Sequence, residues 1–164
     1  MKNPIVELPV ATPEGRFRAR YTAKGLAELD FPGKRPSSRA RPAAGVPAQI
    51  RAWHRLTRTA LKSLLAGTRP EKFPPLAMTG TGFQRAVWRQ LLKISPGRTK
   101  SYGQIAKAIG KPGAVRAVGG ACGANPIPVL VPCHRVLAAN RKIGGFSGGL
   151  HWKRSLLARE GVKL

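Results

Sequence analysis

Short apolar runs separated by turn residues occupy the beginning of the chain. The runs at 4–10, 16–22 and 25–31 alternate apolar and polar positions, as strands with one buried face do. Pro13-Glu14-Gly15 and Ala23-Lys24 separate the runs, and both combinations are typical of turns. The pattern predicts a small antiparallel sheet of three strands.

Helical spacing follows this sheet. Apolar residues recur at intervals of three and four over 49–65, which predicts one amphipathic helix. Segment 32–47, before the helix, is rich in Pro, Arg, Ser and Gly, a composition typical of a connector. Segment 68–78 contains Pro70, Pro74 and Pro75, and we interpret it as a linker. We therefore expect an N-terminal unit at 1–78 and a C-terminal unit at 79–164.

The second unit begins with clear helix-start signals. Thr81 and Ser101 are each followed three residues later by a glutamine, which matches the capping box. The first box precedes an apolar stripe that we expect to end at Pro96-Gly97, and the second precedes a short helix ending at Gly110. A further helix is predicted after Pro112.

The two short helices on either side of 110–113 have the length and turn chemistry of a helix-turn-helix. The second of them has Arg116 as its only long polar side chain. Most of its other residues are small: Ala114, Ala117, Gly119, Gly120 and Ala121. Two interpretations are open. The small face would suit close approach to a minor groove with one inserted arginine, or it would allow tight packing in the core.

The charge of the chain narrows the choice of partner. Thirty Lys and Arg residues against six Asp and Glu give a formal net charge of +24. No acidic residue lies between Glu71 and Glu160. Such a field favours contacts with phosphates, so we expect a nucleic-acid partner. A ribosomal or histone-like protein would carry the same charge, so charge alone does not indicate an activity.

Cysteine usage and the start of the chain bear on the cellular setting. Two cysteines, Cys122 and Cys133, are too few for a disulfide framework. The histidines are scattered without zinc-ligand spacing, so we expect no metal and no cofactor. The N-terminus leads into no apolar segment of a secretory signal, and no run reaches membrane-spanning length. We expect a cytoplasmic protein with reduced thiols and no membrane partner.

The segment Pro132-Cys133-His134-Arg135-Val136 carries the most distinctive chemistry. Neighbouring cations stabilise thiolate, the reactive form of cysteine. On a strand His134 would point away from Cys133, whereas in a turn both side chains could face one pocket. Cys122, within a helix of small residues, fits the ordinary role of a buried small hydrophobe. The pattern therefore favours Cys133 as a nucleophile.

Glu160 is a candidate third member of this group. It follows a helical pattern over 150–159, where the helix dipole opposes a carboxylate, so we expect a compensating partner. It could form a surface ion pair with a neighbouring cation, which would contribute little. It could instead orient His134 as a base toward Cys133, directly or through water.

The segment NPIPVLVPCHRV at 125–136 resembles the active-site signature of the O6-alkylguanine-DNA alkyltransferases. The similarity continues through further segments of the second unit, namely 80–84, 87–88, 101–106, 116–119, 147–150, 156–157 and 160–161. It thus covers 79–164 in order, whereas 1–78 matches only in its strand-strand-strand-helix layout.

The resemblance implies an α/β fold and a repair activity. The N-terminal unit would be a small ribonuclease-H-like sheet with a helix, and the C-terminal unit would be winged-helix-like and carry the helix-turn-helix. The protein would repair O6-alkylguanine in double-stranded DNA by irreversible, single-turnover alkyl transfer to Cys133 after the nucleotide is flipped out. We expect a monomer, and cooperative binding of several molecules to DNA stays an open alternative.

The resemblance also implies roles for the residues of the chemical step. Cys133 would accept the alkyl group, and His134 with Glu160 would form a hydrogen-bonded relay that generates its thiolate. Asn125 would hold the turn that carries the active-site segment.

Five further positions would handle the DNA, according to the same resemblance. Tyr102 would press on the phosphate backbone and help rotate the nucleotide out, and Arg116 would fill the vacated space in the stack. The backbone around Val136 and the side chain of Ser147 would recognise the guanine edge. Lys153 or Tyr102 would assist as the base leaves.

Two features depart from the family pattern. Residues 1–78 contain no cysteine and only His54, so the zinc site that some relatives hold there is not expected. Phe146 lacks the hydroxyl that a tyrosine would place in the loop before the last helix.

Alternatives from other classes remain at this stage. A non-catalytic alkylation-damage sensor or a helix-turn-helix regulator would explain the basic charge, but sensors of that kind lack the reactive cysteine, which is present here as Cys133. A cysteine hydrolase would need an oxyanion hole and a reason for the basic surface, and the sequence indicates neither.

Overall fold

A computed structural model describes residues 5–35 and 45–164 of the chain. Three antiparallel strands form the first sheet in the order β1-β2-β3: β1 Val6–Thr12, β2 Gly15–Thr22 and β3 Gly25–Asp30. The three predicted strands are confirmed. Position 4 of the first predicted strand and residues 36–44 of the predicted connector lie outside the described residues.

One helix covers the inner face of this sheet. Helix α1, Ala48–Leu65, confirms the predicted helix with a start one residue earlier. The Tyr21 hydroxyl of the central strand lies 2.9 Å from His54 Nδ1 and donates to Thr57 Oγ1 over 2.9 Å. These hydrogen bonds fix α1 against β2, because a buried hydroxyl needs a polar partner.

The outer face of the sheet is held by charge rather than by apolar packing. The guanidinium of Arg20 in β2 forms ion pairs with three carboxylates on the neighbouring strands, those of Glu7, Glu28 and Asp30. Arg20 is buried although it faces away from α1. Half of the acidic residues of the chain therefore serve to compensate one buried cation, as burial of a charge requires.

The second half of the chain is mainly helical. It contains four helices, two short strands that pair in parallel, and two turns of 3-10 helix: α2 Gly82–Leu91, β4 Lys100–Ser101, α3 Tyr102–Ala108, α4 Val115–Gly123, Cys133–Arg135, β5 Val136–Leu137, Ala139–Arg141 and α5 Leu150–Arg159. Both capping boxes are present, at Thr81 and Ser101. Within the described part of the chain, no helix is long and apolar enough to cross a bilayer.

Helix α2 ends earlier than predicted. Its last residue is Leu91, so Pro96-Gly97 does not terminate it. The N–H groups of Lys93 and Ile94 bond to carbonyls three residues back, which tightens the chain into a 3-10 turn. This turn places Ile94 in the core, and burial of that side chain ends the helix before the proline is reached.

The two halves share one hydrophobic core, and the predicted linker lies against the sheet. Leu26 of β3 donates to Pro75 O over 2.8 Å and accepts from Ala77 N over 2.7 Å. The neighbouring Gly25 has a φ of 143°, and a Cβ there would lie 2.3 Å from Pro75 O, so the close approach requires glycine. Leu29 N also donates to Pro126 O over 2.9 Å. The sheet thus contacts the segment that leads to Cys133.

Most of the small residues of α4 lie on its outer face. A Cβ added at Gly119, Gly120 or Gly123 would meet nothing within 4 Å. Ala121 is the exception, because it is buried and its carbonyl accepts a hydrogen bond of 2.8 Å from Trp88 Nε1. Tight core packing therefore explains Ala121 but not the outward glycines, which leave the helix backbone open to close approach.

Candidate active site

Cys133 begins a single turn of 3-10 helix, Cys133–Arg135. Cys133 and His134 therefore lie in a turn and not on a strand, a choice that the sequence left open. Cys133 is 4% exposed and lies in the wall of a cavity of about 380 Å³. The cavity is lined by Cys133 itself and by residues from α3, from α4 and from the segment 144–149 before α5, here called the glycine-rich loop: Tyr102, Gly119, Cys122, Gly123, Cys133, Gly145, Phe146 and Ser147.

Glu160 is a buried partner of His134, and the surface ion-pair interpretation is wrong. Its side chain is 1% exposed, and its Oε1 lies 2.9 Å from His134 Nε2. Arg135 donates to the same carboxylate through Nε over 3.0 Å and through Nη2 over 2.8 Å. Burial alone would raise the pKa of Glu160, but the hydrogen bonds and charges of His134 and Arg135 outweigh it and lower the pKa to about 2.

His134 is placed to act as a base. Burial lowers its pKa below the ordinary value of 6.5, although Glu160 opposes the shift, so the ring is neutral at pH 7. A neutral ring whose Nε2 faces a carboxylate carries its proton on that nitrogen, which leaves the lone pair on Nδ1. Nδ1 is buried, and no group of the described residues hydrogen-bonds to it. The free lone pair can therefore accept a proton.

Lys153 supplies positive charge beside the thiol. Burial raises the pKa of Cys133, whereas the Asn125 side chain and the charge of Lys153 lower it. The Lys153 ammonium is itself buried and donates to Val136 O over 2.7 Å and to Gly145 O over 3.0 Å. It thus links the turn after Cys133 to the glycine-rich loop and favours thiolate in the cavity.

Asn125 holds the segment that precedes Cys133. Its Nδ2 donates to Val131 O over 2.8 Å, and its Oδ1 accepts from Ile127 N over 3.0 Å. Val129, inside the closed turn, has a φ of 74°, which is rare for a β-branched residue. Strain of this kind persists only where the surroundings enforce it, and the hydrogen bond from Asn125 Nδ2 to Val131 O closes the segment that contains that residue.

The residues expected to contact the DNA differ in where they lie relative to the cavity. Tyr102 is half-buried in the cavity wall, with its ring 5.9 Å from Lys153 Nζ, and Ser147 is exposed at the cavity mouth. Arg116 is exposed on α4 and does not line the cavity. Val136 is buried and its carbonyl faces Lys153. Three of the predicted site residues therefore line the cavity, namely Tyr102, Cys133 and Ser147. The other six do not: Arg116, Asn125, His134, Val136, Lys153 and Glu160.

Two members of the site were missed from the sequence. Arg135, considered there only as a cation near the thiol, is 3% exposed and is anchored to Glu160 and to Ile94 O. Cys122, interpreted as a core residue, lies in the wall of the same cavity as Cys133. Burial, and the nearby Cys133, raise the pKa of Cys122 to about 12, so its thiol stays protonated at pH 7.

Aromatic side chains connect the N-terminal sheet to the glycine-rich loop. The ring of Phe31 lies 5.8 Å from that of Phe146 and 4.8 Å from that of Trp152, centre to centre. A Cβ at Gly148 would lie 2.5 Å from the Phe31 ring, so the loop closes onto Phe31 only with glycine there. The sequence analysis noted Phe146 as a departure from the family pattern but did not predict its contact with Phe31.

Metal-ligating side chains are not clustered in the described ranges. Among residues 5–35 and 45–164, no three His, Cys, Asp or Glu side chains are grouped so that they could hold a metal ion.

Comparisons with known proteins converge on one family. The family described as 6-O-methylguanine DNA methyltransferase, DNA binding domain, matches residues 82–162. A methylated-DNA–protein-cysteine methyltransferase of Mycobacterium bovis is 51% identical over 100 residues, which are 61% of this chain and 61% of that protein. One of Haemophilus influenzae is 50% identical over 88 residues, 54% of this chain and 49% of that protein. The chain therefore spans less than two thirds of the length of these curated relatives.

A solved structure extends the similarity beyond that shared segment. The crystal structure of Mycobacterium tuberculosis OGT in complex with DNA has 37% sequence identity and a TM-score of 0.76, covering 93% of this chain and 90% of that one. The α/β fold, with a small antiparallel sheet followed by helices, is therefore common to both proteins.

Proposed function

This chain belongs to the 6-O-methylguanine DNA methyltransferase family, and from that membership we propose that it repairs O6-alkylguanine in double-stranded DNA. It transfers the alkyl group to Cys133, irreversibly and once per molecule. One observation carries the proposal: a buried thiol opens on a cavity beside Lys153, next to a His134 whose Nε2 is held by Glu160. The protein acts as a monomer, one chain per lesion.

Formation of the thiolate is the first step. The proton leaves Cys133 Sγ and reaches His134 Nδ1, while His134 Nε2 keeps its hydrogen bond to Glu160. The proton passes directly or through one water, and the Nδ1 lone pair is available for it because no described residue hydrogen-bonds to that atom. The Glu160 carboxylate stabilises the imidazolium that forms, and Lys153 stabilises the thiolate.

Alkyl transfer is the second step. The thiolate attacks the saturated carbon on guanine O6, so that an S–C bond forms and the O6–C bond breaks. The electron pair of the broken bond passes to the guanine, which takes up a proton with help from Lys153 or Tyr102 as it leaves. The products are a thioether at Cys133 and intact guanine. A thioether is not displaced again under these conditions, so each molecule reacts once.

The lesion must leave the duplex before the chemistry starts. The alkyl carbon is shielded inside the base stack, and extruding the nucleotide costs about a few kcal/mol. A cavity of about 380 Å³ beside Cys133 has room for an extruded base edge. Ser147 and the backbone of Val136 recognise the guanine, and Tyr102 rotates the nucleotide out by pressing on its phosphate.

Helices α3 and α4 bind the DNA as a helix-turn-helix within a winged-helix-like unit at 79–164. The glycines of α4 support close approach of its backbone to the minor groove, because a Cβ at Gly119, Gly120 or Gly123 would meet nothing within 4 Å and the backbone there is uncovered. Arg116, exposed on the same helix, fills the gap left in the stack.

The unit at 1–78 is ribonuclease-H-like and supports the glycine-rich loop through Phe31.

The mass of the intact protein tests the proposal. After mixing with a duplex that contains one O6-methylguanine, wild type gains one methylene mass on a peptide that contains Cys133. Cys133→Ala gains none, and the matched variant Cys122→Ser, which changes the other thiol of the cavity, gains as much as wild type. Tight binding to the damaged duplex without a mass gain would identify a damage sensor and would reject alkyl transfer.

A further inference from the structure

A line of cations runs along the outer face of α1, far along the chain from the active-site motifs. Arg51, Arg55, Arg58 and Lys62 are all exposed, and their spacing of four, three and four places them on one helix face. Together they are called the α1 cationic stripe. The helix contains no acidic residue over 48–65. At 1.5 Å per residue the stripe is about 16 Å long.

The stripe borders a groove that no part of the proposed chemistry uses. A cavity of about 820 Å³ lies between α1 and the turn that joins β1 to β2. Arg55, Arg58 and Lys62 form one wall, and residues 11–14 form the other. The groove shares no lining residue with the cavity beside Cys133, so it is a separate feature of the surface.

Charge within the groove is poorly compensated. Like charges three or four residues apart destabilise a helix, so the stripe has an energetic cost in the free protein. Glu14 is the only acidic residue in the lining, and its carboxylate already forms an ion pair with Arg159. An anionic ligand that spans several cations would offset this repulsion.

We propose that the α1 cationic stripe contacts the phosphate backbone of duplex DNA, as a second DNA surface apart from the lesion site. A strand of B-DNA presents one phosphate per 3.4 Å of helix axis, so a stripe of about 16 Å lies alongside roughly five phosphates. The proposal rests on the proposed function only in taking DNA as the partner. An acidic protein segment is the competing occupant, and the high charge of the whole chain favours the uniform negative charge of DNA over it.

The salt dependence of binding to an undamaged duplex of about 30 base pairs measures these contacts directly. The full chain is compared with Arg55→Gln/Arg58→Gln/Lys62→Gln by fluorescence anisotropy over a series of salt concentrations. The logarithm of the association constant falls linearly with the logarithm of the salt concentration, and each lost phosphate contact makes this negative slope shallower by about 0.9. We expect the slope of the stripe variant to be shallower than that of wild type by about 2 to 3.

A control variant separates local contacts from the overall field. Lys24→Gln/Lys72→Gln/Lys163→Gln removes the same charge from three exposed lysines that line neither cavity. Its slope should fall by less than about 1. A second variant, Arg55→Lys/Arg58→Lys, keeps the charges and should keep the wild-type slope, which shows that a lost slope reflects charge and not misfolding.

Three results would overturn the proposal: an unchanged slope in the stripe variant, an equal fall in the control variant, or loss of slope in the lysine variant. Binding of a polyglutamate peptide that is lost in the stripe variant, with an unchanged DNA slope, would assign the stripe to an acidic protein instead. The measurement uses undamaged DNA and involves no alkyl transfer. A failure of wild type to gain mass on O6-methylguanine would therefore reject the proposed repair activity without affecting this test.

Discussion

Replacing Glu160 with glutamine removes one charge from the site and keeps the size of the side chain. In the native protein this carboxylate accepts hydrogen bonds from His134 Nε2 and from Nε and Nη2 of Arg135. Arg135 is 3% exposed, so Glu160→Gln leaves a buried guanidinium without a counter-charge. Removing one partner of a buried ion pair costs about 3–5 kcal/mol, and we expect the free energy of unfolding at pH 7 to fall by that amount.

The pH dependence of stability should change with the same substitution. The difference between the Glu160 pKa of about 2 and its ordinary value of 4.5 corresponds to about 3 kcal/mol. Because the folded pKa is the lower one, this contribution is complete above pH 4.5 and is lost as the pH falls toward 2. Between pH 7 and pH 3 wild type should lose about 2 kcal/mol that Glu160→Gln does not lose. The lowered pKa of His134 gives a separate loss below pH 6.5, which is larger in Glu160→Gln because the carboxylate that raises this pKa is absent there.

Urea unfolding followed by circular dichroism, at pH 7 and at pH 3, measures both effects. The double variant Arg135→Met/Glu160→Gln is the control, because it removes the uncompensated charge. It should be more stable than Glu160→Gln alone, which double-mutant analysis would report as strong coupling. The reasoning would be refuted if Glu160→Gln cost less than about 1 kcal/mol and its stability followed the wild-type pH curve.

Three further substitutions probe the cavity wall and the residues that support it. Gly148→Ala places a Cβ 2.5 Å from the Phe31 ring, whereas a Cβ in the control variant Gly145→Ala meets nothing within 4 Å. We expect single-turnover transfer to slow at least about tenfold in Gly148→Ala, equivalent to about 1.4 kcal/mol. Equal rates in Gly148→Ala and Gly145→Ala would contradict the close contact with Phe31. Lys153→Met removes the charge that favours thiolate and two hydrogen bonds to backbone carbonyls, so the pH–rate profile should move to higher pH; an unmoved profile would exclude this electrostatic role. Cys122→Ser should retain transfer because that thiol stays protonated at pH 7, and complete loss of transfer in a folded variant would show that Cys122 takes part.

Local elements were predicted well because their causes lie within a few residues. A capping box needs only Thr81 or Ser101 and the glutamine three positions later, and both boxes form as predicted. Alternation of apolar and polar residues likewise predicted the three strands. The end of α2 was predicted wrongly, since burial of Ile94 stops the helix before Pro96.

Part of the chemistry of the candidate site could be predicted from the sequence. The Pro-Cys-His-Arg run in its setting indicated a reactive thiol, and the absence of acids between Glu71 and Glu160 indicated a polyanionic partner. Sequence alone could not decide whether Cys133 and His134 share a turn or a strand. That choice depends on how Asn125 closes the preceding segment, through hydrogen bonds to Ile127 and Val131.

The sequence by itself determined most of the helices and strands, the charge, and the Pro-Cys-His-Arg motif that contains the proposed nucleophile, because these follow from neighbouring residues. Only the tertiary structure decided that Glu160 is buried against His134 and Arg135, that Cys122 shares the cavity of Cys133, and that Phe31 supports the glycine-rich loop. These contacts join residues that are far apart in the chain. They form only when the sheet, α5 and the glycine-rich loop pack into one core, and the energy of that packing is not contained in any local pattern.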